Sequence, residues 1–125
     1  MHGDFLDSLI RHQRFERALS LVQESIELFP DLGIFKMYRI HILIRLSQLE
    51  LALAACDDIL KGNPDHAGAN YDKACIMSIV GKNEQAISLL DKAIKKEERF
   101  KEEAKNDKDF IQISKDPRFI RLTSE

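Results

Sequence analysis

Laid on itself at an offset of 34 residues, the chain brings like onto like. Ala18, Ala52 and Ala86 fall in register, and so do Glu16, Glu50 and Glu84. The branched apolar set Leu19, Leu53 and Ile87 coincides, as does Ile26 with Leu60 and Ile94, and Pro30-Asp31 lands on Pro64-Asp65. A period of this length marks a repeat whose single unit cannot bury its own apolar face, so neighbouring units must stack. The repeat constrains the fold more than any other feature of the chain.

Each unit reads as two helices. Phe15, Ala18, Leu19, Val22, Ile26 and Phe29 recur at steps of three and four, which lines them along one helical face. Leu49, Ala52, Leu53, Cys56, Ile59 and Leu60 repeat that stripe, and Ala86, Leu89, Leu90, Ala93 and Ile94 repeat it again. Upstream of each stripe lies a further helical run, over about 4–12, 34–46 and 67–80. Gly62-Asn63-Pro64 predicts a left-handed helix end, since Pro64 cannot continue a helix. Asp65 is then expected to cap the following helix, with His66 solvated or capping beside it. Gly81 suits a tight turn inside the third unit. No strand alternation appears, so the expected class is all-α.

This pattern resembles the tetratricopeptide repeat family, whose unit is an antiparallel helix pair. Ala18, Ala52 and Ala86 match the small residue early in its second helix, Phe15 and Leu49 the large apolar residue before it, and Pro30 and Pro64 the terminal proline. Asn83 and Glu98 depart from the last two positions in the third unit. The resemblance implies a right-handed α-solenoid of three repeats, about 1–32, 33–66 and 67–98, in a single domain over 1–125. The tail from Arg99 resembles a closing segment found after the last repeat in many bacterial relatives of that family. A solenoid end leaves an apolar face bare, and Phe100, Phe110, Ile113, Phe119, Ile120 and Leu122 are the candidates to cover it as a helical cap over 99–125.

Composition excludes several classes. Apolar residues make up 44% and charged residues 32% of the chain, enough for a core with a soluble surface. The net charge is −2, and residues 1–94 carry 10 basic and 13 acidic side chains. No basic stripe invites nucleic acid. The apolar run at 34–46 is interrupted by Lys36, Arg39, His41 and Arg45, which argues against a membrane span. The start lacks a basic region followed by an apolar run, so no signal peptide is expected. Cys56 and Cys75 cannot make a disulfide framework, and a reducing cytoplasm is the expected compartment.

Catalysis is not expected. His2, His12, His41 and His66 are scattered, and none pairs with another ligand type at metal-binding spacing. Asp57 and Asp58 are helix neighbours that diverge by about 100°. Cys75, among Ala74, Ile76 and Met77, reads as a buried, inert thiol. The Lys95–Lys105 run reads as a solvated helix face. No cofactor or metal is expected.

The family resemblance implies that first helices line a concave groove for a peptide or partner protein. Its groove positions fall on Gly3, Asp7, Ile10 and Arg11, then Met37, His41, Ile44 and Arg45, then Tyr71, Cys75, Ser78 and Ile79. Of these Met37, Ile44 and Ile79 read equally well as core. Family members that clamp a chaperone's C-terminal carboxylate need Lys, Arg and Asn where this chain has Gly3, Asp7, Tyr38, Gly68 and Asp72, so that ligand is not expected. The competing reading is self-association through the first helix, with Phe5, Leu6, Leu9 and Ile10 on one side and Asp4, Asp7, Ser8, Arg11 and His12 on the other; the expected state is a monomer or weak homo-oligomer.

Overall fold

The structure, a computed structural model, describes residues 2–12 and 14–124, with the side chains of 2–5 and 7 outside the description. Its elements are α1 (His2–Arg11), α2 (Phe15–Leu28), α3 (Gly33–Arg45), α4 (Leu49–Gly62), α5 (Ala67–Ile79) and α6 (Asn83–Lys96). There follow α7 (Phe100–Lys105), a 3-10 helix η1 (Lys108–Ile113) and α8 (Pro117–Thr123). Every element among the described residues is helical, and no helix among them is long and apolar enough to cross a membrane.

The sequence period reappears in the backbone bonding. The N–H groups of Arg14, Gln48 and Lys82 donate to the carbonyls of Leu9, Leu43 and Met77 at 2.8, 2.9 and 2.8 Å. Those of Phe29, Asn63 and Glu97 donate to Ser25, Ile59 and Ala93 at 2.8, 3.0 and 2.9 Å. Each set is spaced by 34 residues, so both the turn inside a unit and the end of a unit recur in register. The same holds for Leu32, His66 and Phe100, whose N–H groups donate to Phe29, Asn63 and Glu97. Thus α7 begins within one residue of where the period from α3 and α5 would start a further helix.

The turn inside a unit needs one left-handed residue. Gly81 supplies it at φ 87° and Ser47 at φ 59°, one period apart. Two expectations about helix ends need correction. Gly62 is not left-handed; α4 runs through it and stops ahead of Pro64. His66, not Asp65, caps α5, its Nδ1 accepting from the Ala69 N–H at 3.1 Å.

Two compact units divide the chain, Met1–Ala55 and Cys56–Glu125. In the first, Leu6, Leu9, Ala18, Val22, Phe35 and Ile42 form the core, with Phe15, Leu19, Ile26 and Tyr38 packed around it. Phe29 lies past the end of α2 and is 42% exposed, yet its ring still stacks on the core residue Phe35 with centroids 6.1 Å apart. In the second, α5 packs along α6 and against η1, and α8 lies against α6 and α7. Phe100, Ala104, Phe110, Ile113 and Phe119 are buried there. Ile120, expected in the covered face, is instead 53% exposed. Asp107 and Asp116 cap η1 and α8 by accepting from the Asp109 and Arg118 N–H groups at 3.0 and 2.9 Å, and Pro117 opens α8 where its missing N–H costs nothing.

Candidate functional site

The repeat register pairs the expected groove positions of α3 and α5: Met37 with Tyr71, His41 with Cys75, and Ile44 with Ser78. The structure treats the two strips differently. On α3, His41 is exposed and Met37 and Arg45 are half-buried, while Ile44 is buried, in keeping with its core reading. On α1, Arg11 is exposed, whereas the Asp7 side chain lies outside the described residues.

On α5 the strip is closed. Tyr71, Cys75 and Ser78 are all buried, so the expectation that they line an open groove is corrected: Phe100, Phe110 and Asp107 of the chain's own C-terminal segment lie against Tyr71, and Asp107 reaches Cys75. The Tyr71 ring stacks on Phe100 with centroids 4.6 Å apart and meets the edge of Phe110 at 5.5 Å. Its hydroxyl donates to Asp107 Oδ2 at 2.8 Å, and Cys75 Sγ lies 3.8 Å from the same oxygen. A buried phenol needs a polar partner, and the carboxylate that caps η1 supplies it. Burial, then Cys75 and the Asp107 carboxylate, push the Tyr71 phenol well above its ordinary range. Among the described residues the buried Ser78 hydroxyl has no hydrogen-bond partner.

Linear spacing hid this cluster. Asp107 and Tyr71 are 36 positions apart, and only a buried tyrosine in need of an acceptor hinted at a partner. The cluster also holds the one meeting of potential metal ligands among the described residues: one atom each from Cys75, Asp107 and Asp109, within 4.8 Å. Both Asp107 oxygens are already hydrogen-bond acceptors, for the Tyr71 hydroxyl and the Asp109 amide. As built, the cluster is a latch holding η1 on α5.

Several other titratable groups are accounted for by burial or by local ion pairs. Cys56 is buried and free, and burial, aided by Asp72 and Asp57, pushes its thiol up to about 12. Asp57 pairs with Lys73 at 2.7 Å. Along Lys95–Lys105, Lys95 pairs with Asp91, Arg99 with Glu97 and Glu103, and Lys105 with Glu102, all at the surface. No family model, curated protein or solved structure matches the chain.

Proposed function

We propose that the chain is a non-catalytic, tetratricopeptide-type interaction module, a right-handed solenoid holding a segment of a partner protein along the exposed strip of its first helices. One observation carries the reading. The α5 strip already holds a peptide segment, the chain's own residues 100–113, through an aromatic stack and a carboxylate latch. The register-equivalent strip on α3 keeps His41 exposed and Met37 and Arg45 partly so. An extended or helical peptide bound there would use the same chemistry in trans. Cys56 and Cys75, both buried and outside any disulfide among the described residues, suit a reducing cytoplasm. Nucleic acid and membrane are not the partners in this reading. Self-association through the first helix has less support, because Leu6 and Leu9 are buried within their own unit.

The test is capture from a lysate by the wild type and by an Arg11→Glu, His41→Glu variant, since both side chains are exposed and neither change disturbs the core. A partner enriched by the wild type and lost with the variant supports the strip. Capture of the same set by both removes it.

A further inference from the structure

The turn from α2 into α3 carries more apolar surface than its geometry requires. All of residues 27–34 are exposed, Leu28, Leu32 and Ile34 by 57%, 51% and 56%. The Leu32 N–H folds back to the Phe29 carbonyl at 3.1 Å, which gathers these side chains and Phe29 at one end of the first unit. The next two units make the same turn with the same backbone bonds, yet their residues differ. Gly62, Asn63, His66 and Gly68 stand at the equivalent places in the second. In the third, Lys96, Glu97 and Glu102 are charged, and the one apolar residue, Phe100, is buried on Tyr71. Leu28, Leu32 and Ile34 therefore serve neither the turn nor the core of their own chain, which marks them as a contact surface.

The charges beside this patch are also set against local preference. Helices favour cations at their C-termini and anions at their N-termini. Lys61 and Lys95 comply in the last turns of α4 and α6. The equivalent residue of α2 is Glu27, and its last turn holds no base. The first turn of α3 holds Lys36 and no acid. Both side chains are exposed, and neither makes an ion pair among the described residues. Glu24 and Asp31 add to the acidic α2 side, and Arg39 to the basic α3 side. Departures from a local rule concentrate where a surface has another task.

Such a patch complements itself. A two-fold axis through it sets apolar side chains on their own copies and the acidic flank of each chain on the basic flank of the other. The four side chains leave roughly 350 Å2 open, within the range of a functional patch. That is most of the apolar share, about 450 Å2 per partner, in an interface of standard size. We infer that the α2–α3 turn is a homodimer interface. A second copy of the chain packs its Leu28, Leu32 and Ile34 on the same residues, and Glu27 of each copy meets Lys36 of the other. The interface involves neither the first helix nor a peptide held along the α3 strip.

The test is sedimentation velocity of the full chain from about 1 μM to about 1 mM, across which the wild type should pass from monomer to dimer. Leu32→Asp should weaken the dimer at least about tenfold while keeping the fold, because residue 32 is the N-cap of α3 and aspartate is favoured there. Ile34→Glu serves as a second variant should circular dichroism show the first to be disturbed. Glu27→Lys and Lys36→Glu each suit their own helix end, yet each alone should weaken association. An equimolar mixture of the two should regain it, since the reversed charges then face each other in one half of the contact and the native ones in the other. Arg11→Glu, His41→Glu should leave the dimer unchanged. A monomer at every concentration, a dimer indifferent to the apolar or the single charge variants, or a mixture that associates no better than its components overturns the inference.

Discussion

Tyr71, Asp107, Ser78 and Cys56 show how much depends on single polar atoms inside an apolar unit. The Tyr71 hydroxyl and Asp107 carboxylate satisfy each other at 2.8 Å. Removing the donor while keeping the ring, in Tyr71→Phe, should cost about 1–3 kcal/mol in urea unfolding, since a part-buried carboxylate loses its partner. Ser78 is the opposite case, a fully buried hydroxyl with no partner among the described residues. Ser78→Ala should raise stability by about 1 kcal/mol by the same measurement, because it removes an unpaid desolvation and favours the helix. The two shifted acids make alkaline pH destabilising. Between the ordinary thiol value of about 8.5 and the Cys56 value of about 12, the unfolded chain releases a proton that the folded one keeps, so stability falls as pH rises. Tyr71 acts in the same direction above the ordinary phenol value of about 10. Urea midpoints across this range should decline less steeply in Cys56→Ala than in the wild type; parallel declines would show that burial of Cys56 has no part in it.

At the level of the element, the turn inside each unit is the best-defined device. Ser47 and Gly81 hold the same left-handed place one period apart, yet only one is glycine. The strain of a side chain there is about 1–2 kcal/mol, more than the roughly 0.4–1 kcal/mol that glycine adds to the unfolded chain's freedom. Ser47→Gly should therefore stabilise by about 0.5 kcal/mol, and Gly81→Ala should destabilise by about 1 kcal/mol. Opposite signs in thermal unfolding check the register of the turn; equal signs would break it. Helix ends were harder to read from the chain. Pro64 correctly marks a stop, but the helix runs through Gly62, and His66 rather than Asp65 takes the cap, because a cap is chosen by local dihedral geometry that residue type only biases.

For the whole chain, the C-terminal segment is structural before it is anything else. Phe100, Ala104, Phe110, Ile113 and Phe119 are core residues of the second unit, and a single buried phenylalanine truncated to alanine typically costs about 3–5 kcal/mol. A chain ending at Glu98 should lose cooperative unfolding of that unit and bind a hydrophobic dye. A truncated chain that still unfolds at the full-length midpoint would contradict this structural role. The helices, their 34-residue register, the place of Ala18, Ala52 and Ala86 on the apolar face and the tight turn at Gly81 were legible beforehand, because periodicity and turn chemistry are local properties of the chain, whereas the left-handed place was expected at the end of α4 and falls at Gly81 instead. The fate of the candidate site was not. Met37 and Tyr71, or His41 and Cys75, hold equivalent places in the repeat, and nothing local separates the α3 strip from the α5 strip. Only packing shows that Phe100, Asp107 and Phe110 close over α5, that Ile111 and Ile120 are left outside, and that Asp107 finds Tyr71 across 36 residues. Such contacts depend on how distant segments fit together in space, which residue spacing alone does not encode.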